Sequence, residues 1–136
     1  MEKTKVAIIG SREYTNRRKV QEFVHQLKGK FNGEVVIVSG GAKFGADKYA
    51  KRFALDFDLE YHEFPPYHDS HNMHCVLDKF FYSKPYNVGN YHSRNKKLVE
   101  HSDMVVAFVP TNVTNGTKSA LKYAKELGKK FVIISG

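Results

Sequence analysis

Apolar positions along the chain fall into two patterns that alternate from end to end. Val6-Ala7-Ile8-Ile9 is a continuous apolar run that stops at Gly10, the mark of a strand buried on both faces. A helical stripe of Val20, Phe23, Val24 and Leu27 follows, with Asn16 placed to cap it and Gly29 to end it. Val35 to Val38 predict a second buried strand that ends at Ser39-Gly40-Gly41. Ala46, Ala50, Phe53, Ala54 and Phe57 make the next helical stripe. Leu59 to Phe64 predict a third, more polar strand near a sheet edge, closed by Pro65-Pro66.

Residues 67–89 break the rhythm. They are rich in Tyr, His, Asn and Ser, and predict a long ligand-covering loop with one short helical turn around Val76 to Phe81. Regularity returns with a helix from Tyr91 to Glu100 and a strand from Met104 to Val109. Asn115-Gly116-Thr117 then opens a helix that turns Ala120, Leu121, Ala124 and Leu127 inward. Gly128 sits where a terminator belongs, and Phe131 to Ile134 predict the last strand. There is no internal repeat, low-complexity stretch or linker. Strands alternating with helices predict one α/β domain over residues 1–136: a Rossmann-like three-layer sandwich, its mainly parallel five-stranded sheet covered by helices on both faces.

Composition narrows the partner rather than the fold. The 136 residues suit one domain, and 41% apolar content supplies a core without cross-links. The 22 Lys and Arg against 14 Asp and Glu leave +8, which favours an anionic partner: nucleic acid, a nucleotide or an acidic surface. Cys75 is the single cysteine, which excludes an intramolecular disulfide and a multi-cysteine zinc site. Only four apolar residues, Val6 to Ile9, run from Lys5 to Gly10, too few for a secretory signal core. The longest uncharged run, Met104 to Thr117, falls well short of the roughly 20 apolar residues of a spanning helix. These features predict a soluble, cytoplasmic protein with no membrane partner, and leave a homo-oligomer open.

In a sheet of this class, ligands bind beyond the carboxyl ends of the strands, where the strand order reverses. Three glycine- and hydroxyl-bearing turns converge on that rim: Gly10-Ser11-Arg12, then Ser39-Gly40-Gly41 through Gly45-Ala46-Asp47, then Thr111, Asn112 and Thr114 leading to Asn115-Gly116-Thr117. Glycines admit close backbone approach to an anion, and helix N-termini supply unpaired N–H donors. Ser11, Ser39 and Thr117 add hydroxyls, and Arg12 carries a planar fork for a phosphate or carboxylate. Arg94 and Asn95, near the start of a helix, can reach a phosphate and a base or ribose; the competing reading is a surface arginine and a capping asparagine. Asp47 either binds a ribose hydroxyl or complements its helix dipole. Neither Gly-x-Gly-x-x-Gly nor Gly-Lys-Ser/Thr occurs, so dehydrogenase and P-loop readings fail and no cofactor is expected.

His68, His71 and His74 are spaced by three, with Cys75 and Asp78 nearby. On one helical face they would suit a transition metal. Asp69-Ser70 favours a turn, however, so the segment reads as a solvated loop and no metal site is expected. Phe80, Phe81, Tyr82, Tyr86 and Tyr91 supply either a base-stacking wall, a small satellite core or an oligomer contact.

Taken together, Gly10-Ser11-Arg12, Ser39-Gly40-Gly41-Ala42 with Gly45-Ala46-Asp47, Arg94-Asn95 and Gly116-Thr117 resemble the SLOG superfamily, named for the Smf/DprA and LOG proteins. The likeness is to its small, stand-alone YspA-type branch, and it is weakest over 67–89. It implies a Rossmann-like fold whose glycine-rich rim binds nucleotides or nucleotide-derived ligands. Members include phosphoribohydrolases, a DNA-processing protein and sensor domains for ADP-ribose-type or cyclic nucleotide signals. In the hydrolases an Arg-Lys pair opens the helix before strand four, and a Pro-Gly-Gly-x-Gly-Thr-x-x-Glu motif follows that strand. Here Asn95 follows Arg94, the second motif is reduced to Asn115-Gly116-Thr117, and Ala120 stands at the glutamate position. The resemblance therefore favours a nucleotide-binding sensor or sequestering protein over a nucleotide hydrolase, in which Asp47, Glu13 or a loop histidine would replace that carboxylate. A DNA- or RNA-binding protein is the third reading, suggested by the +8 charge.

Overall fold

Successive side chains of a strand point to opposite faces, so each two-sided apolar run needs a helical layer above and below it. The computed structural model, which describes residues 3–111, 113 and 115–136, supplies both layers. Along the chain run β1 (Thr4–Gly10), α1 (Arg17–Lys30), β2 (Val35–Ser39), α2 (Ala46–Asp56) and β3 (Glu60–Glu63). After a long connection with one 3-10 turn (Lys79–Phe81) come α3 (Gly89–His101), β4 (Met104–Val109), α4 (Asn115–Glu126) and β5 (Lys130–Ser135). The strand order is β3-β2-β1-β4-β5, and all four pairings are parallel. Val6, Ile8, Val35, Ile37, Val106 and Phe108 pack toward α1 and α2. Ala7, Ile9, Val36, Val38, Val105 and Ala107 pack toward α3 and α4. This is the Rossmann-like α/β sandwich expected, with a wholly parallel sheet. Among the described residues no helix is long and apolar enough to cross a membrane.

Local chemistry sets the helix ends. The Asn16 side chain accepts the Lys19 N–H and caps α1 as expected. That helix runs past Gly29, and the left-handed residues that turn the chain are Asn32 and Gly33. Gly128 (φ 69) ends α4 as its position predicts. Leu127 lies beyond the last helical residue and is exposed, contrary to the inward position its spacing suggests. β3 is an edge strand, four residues long.

The 67–89 connection is irregular, with its helical turn at 79–81, and it is tied down rather than loose. Glu63 donates its N–H to the His74 carbonyl and accepts the Val76 N–H, a one-residue parallel bridge between β3 and Cys75. The buried Glu63 carboxylate takes the Tyr61 hydroxyl at 2.7 Å, the Lys51 ammonium at 3.4 Å and the Asn72 amide. Tyr82 is buried beside Tyr67 and His71, whereas Phe80 and Tyr86 are exposed. The connection thus has its own small core.

At the C-terminus of α3, His101 Nε2 lies 2.8 Å from His62 Nδ1, and His62 Nε2 lies 2.7 Å from Glu60. Burial, His62 and Lys5 lower the His101 pKa from 6.5 to about 4, against the pull of Asp103. Below pH 6.5 the unfolded chain therefore binds a proton that the native state refuses until about pH 4. Stability therefore falls as the pH is lowered across that window. Denaturant melts at stepped pH should show this slope flattened in His101→Gln; an identical slope would remove His101 as its source.

Candidate functional site

β1 and β4 are neighbours in the sheet, but the chain crosses to opposite faces from them, so the connections after the two strands diverge. A cavity of about 570 Å³ opens at that point, beyond their carboxyl ends. The turn after β1 contributes Gly10, Ser11, Arg12 and Glu13, and the turn after β2 contributes Gly40 and Ala42. The first turn of α2 supplies Asp47. Tyr91, His92, Arg94 and Asn95 line the cavity from α3, and Gly116, Thr117 and Ala120 from the start of α4. Tyr86 and Val88 close it from the long connection.

Arg94 ties these walls together. Its Nη1 donates to the Gly40 carbonyl at 2.8 Å and the Phe64 carbonyl at 3.0 Å, and its Nε donates to Asn95 Oδ1 at 2.9 Å. One guanidinium therefore spans the ends of β2 and β3 and the body of α3. The Asn95 amide reaches on to the Gly116 carbonyl at 3.4 Å, carrying the linkage to α4. Asp47 answers from below: its Oδ2 accepts the Ala42 N–H at 3.1 Å. Burial pushes the Asp47 carboxyl above its usual range, opposed by Arg94 and by the Ala42 N–H. Burial likewise lowers the Arg94 pKa while Asp47 supports its charge.

Arg12 is different. It is exposed, and its guanidinium lies 5.5 Å from the centre of the Tyr91 ring. That contact with Tyr91 raises its pKa. Arg94 lies 5.8 Å from the same ring centre. Two cations thus share one aromatic face system. His68 and Tyr86 pack against Tyr91 with centroids 5.1 and 6.4 Å away, forming an aromatic wall at the mouth. His92 Nδ1 lies 2.9 Å from Ser119 Oγ and links α3 to α4 there. The cavity therefore presents two guanidiniums, two carboxylates, a helix N-terminus and an aromatic wall.

The sequence model of YAcAr, the YspA, cpYpsA-related SLOG family, matches residues 4–71, half of the chain. The chain belongs to this SLOG family. Among solved structures, DNA processing protein A from Helicobacter pylori superposes with a TM-score of 0.71 at 24% identity, over 96% of this chain and 64% of that one. The SLOG chain thus spans under two thirds of that relative's length. The molybdenum cofactor binding protein of Rippkaea orientalis gives 0.72 at 23% identity, over 100% and 78% of the two chains. The molybdenum cofactor carrier protein of Chlamydomonas reinhardtii gives 0.70 at 15%, over 98% and 78%. No curated protein matches.

Of the residues that the SLOG pattern singles out, the fold brings Gly10, Ser11, Arg12, Gly40, Asp47, Arg94, Asn95, Gly116 and Thr117 to the cavity. Ser39, Gly41, Gly45 and Ala46 are not in its lining. Ser39 Oγ accepts the Gly41 N–H, and a side chain on Gly41 (φ 75) would stand 2.6 Å from the Glu63 carboxyl carbon. Gly41 therefore makes room for Glu63. Gly45 (φ 73) lets the α2 turn lie on the backbone of Ser11 and Arg12, and Ala46 donates its N–H to the Ser11 carbonyl. Asn112, Thr114 and the Asn115 side chain lie outside the described residues. The three spaced histidines face different rings: His68 faces Tyr86, His71 faces Tyr82 and His74 faces Tyr61. Among the described residues no metal-binding group of three side chains forms. His92 and Val88 escaped the sequence reading. His92 carried a signal, its place in the first turn of a helix opening at the rim; Val88 carried none.

The two arginines should separate on mutation. Arg94→Ala leaves the Gly40 and Phe64 carbonyls without their donor and should cost about 2–3 kcal/mol of stability, whereas Arg12→Ala should leave stability within about 0.5 kcal/mol. Urea melts of both variants check this; equal losses would mean that Arg94 has no linking role.

Proposed function

We propose that this SLOG protein binds a nucleotide-derived ligand of the ADP-ribose or cyclic nucleotide kind in the cavity between β1 and β4, as a sensor or a sequestering protein. The observation that carries the reading is the pairing of Arg12 and Arg94 over Tyr91 at a cavity into which the N-terminal turn of α4 opens. Cationic forks and helix N–H groups suit phosphate, and the aromatic wall suits a base. Asp47 and Glu13 supply acceptors for ribose hydroxyls or ring amines. A lining of both signs favours a ligand that mixes phosphate with neutral donors over a bare polyanion. The volume falls in the range of small-molecule sites. The molybdenum cofactor binding and carrier proteins share the fold, which agrees with a ligand-carrying use of this sheet.

Arg12→Ala tests the phosphate contact without disturbing the fold. Losing one charge-assisted hydrogen bond costs about 1.5–3 kcal/mol, roughly ten- to hundredfold in affinity. Calorimetry should show that loss for ADP-ribose or a nucleoside monophosphate and little change for the nucleoside. Equal losses for both ligands would overturn the phosphate assignment.

The same cavity bears on turnover. Ala120 lines it with a methyl group at the position where the resemblance places the hydrolases' glutamate. Proton-transfer catalysis contributes about 10²–10⁴-fold, and this residue supplies none of it. Nucleoside monophosphates and ADP-ribose incubated with the protein should be recovered intact by chromatography. Free base or ribose phosphate accumulating over many turnovers, and disappearing in Asp47→Asn, would instead establish a hydrolase with a substitute carboxylate.

A second reading has one specific observation behind it. Phe80 is 76% exposed, with the Lys84 ammonium 4.5 Å above its ring, a stacking platform beside a positive charge. The Helicobacter protein, which shares the fold, binds single-stranded DNA. On the nucleotide reading, oligonucleotide affinity is weak and vanishes near physiological salt. Tight, salt-dependent binding that competes with mononucleotide would favour nucleic acid.

A further inference from the structure

The rings at the cavity mouth are not equivalent. Tyr91 is half-buried and already engaged, with the Arg12 guanidinium 5.5 Å and the Arg94 guanidinium 5.8 Å from its centre. His68 is half-buried beside both tyrosines, its ring centre 4.7 Å from that of Tyr86 and 5.1 Å from that of Tyr91. Tyr86 lines the cavity and is nevertheless 70% exposed. It is also held in place. The Asn90 side-chain amide lies 3.2 Å from Nδ1 of His68, which backs the ring, and donates to the carbonyl of the preceding Pro85 at 3.3 Å. An exposed aromatic ring, backed by its neighbours and open to a cavity, is a stacking platform for a base. Its fixed position spares part of the ordering cost of binding.

We propose that Tyr86 stacks the base of the ligand, and that the unit read at this mouth is a single nucleoside phosphate, its base on Tyr86 and its own phosphate on Arg12. This rests on the nucleotide reading above and narrows it. Tyr91 stands between the two groups, 5.5 Å from the Arg12 guanidinium and 6.4 Å from the centre of the Tyr86 ring. These two steps match the reach of one nucleotide from its base to its 5′-phosphate. In a ligand of the ADP-ribose kind, the adenosine phosphate half takes this position, and the remainder occupies the rest of the cavity of about 570 Å³. Every base has a face that can stack, so the ring selects for a base over none rather than for one base over another. Tyr91 cannot take this role while two guanidiniums rest on it.

Calorimetric titration of wild type, Tyr86→Ala and Tyr86→Phe with adenosine and guanosine 5′-monophosphates, ADP-ribose and ribose 5-phosphate tests this. Wild type should favour both monophosphates over ribose 5-phosphate about tenfold, the scale of one base stacked on an aromatic ring. Tyr86→Ala should weaken the monophosphates and ADP-ribose by that same factor and leave ribose 5-phosphate unchanged. Tyr86→Phe keeps the ring and should keep the preference. The ultraviolet absorbance of the base should fall on binding to wild type and not on binding to Tyr86→Ala. A preference that survives Tyr86→Ala, an equal loss for ribose 5-phosphate, or a loss in Tyr86→Phe as large as in Tyr86→Ala would overturn the proposal and leave the phosphate contact standing. Wild type that binds none of these ligands would overturn the nucleotide reading, and the proposal with it. Should Tyr86→Ala fail to fold, Tyr86→Leu, which keeps the bulk without the aromatic face, takes its place.

Discussion

A charged group in the floor of the cavity is costly unless its hydrogen bonds are met, and Arg94 meets that demand by donating to main-chain carbonyls at the ends of two strands. The consequence is architectural. The β2 turn, the exit from β3 and helix α3 are held in one relation, and Asn95 extends that relation to the start of α4. Asp47 balances the charge from the first turn of α2 and fixes the Ala42 backbone at the same time. Every wall of the cavity except the β1 turn and the aromatic mouth is thus referred to one guanidinium. Arg12, by contrast, rests on Tyr91 and remains exposed. The site divides into a cation that holds its walls together and a cation left exposed at its mouth.

A second buried charge organises the other half of the rim. Glu63 is 2% exposed and collects Tyr61, Lys51 and Asn72, while its backbone joins the long connection to β3. Gly41 is the space this carboxylate occupies. The connection that carries Tyr86 and Val88 to the cavity mouth is therefore anchored through the same edge strand that Arg94 touches at Phe64. Order in the sheet passes to order in the loop through two side chains.

Much of this was legible in the chain, for physical reasons that also set the limit. Val6 to Ile9 and Met104 to Val109 read as central strands because burial on both faces leaves an unbroken apolar run. Asn16 and Gly128 read as helix ends because capping is local chemistry. The meeting of Gly10, Arg12, Gly40, Asp47 and Gly116 at one cavity followed from topology, whereas Arg94 was singled out by its place near a helix start and by the SLOG pattern. What stayed hidden was non-local. Nothing near Gly41 announces that Glu63, far along the chain, needs its missing side chain, so a conformational glycine reads like an anion-approach glycine. The spacing of His68, His71 and His74 suggests a shared face only if the segment is helical, and the loop turns each toward a different ring. An apolar run such as Phe131 to Ile134 looks the same whether a helix covers it or water does.

The proposed contact between Arg12 and the phosphate of a nucleotide derivative, in the cavity between β1 and β4, is open to a direct test. Native mass spectrometry of the protein purified from cells, beside Arg12→Ala prepared identically, tests it most directly. Wild-type protein should carry an adduct that fragments to phosphate and a nucleobase, is released unchanged on denaturation, and is missing from Arg12→Ala. Bare protein in both samples, or the same adduct retained by the variant, would contradict it.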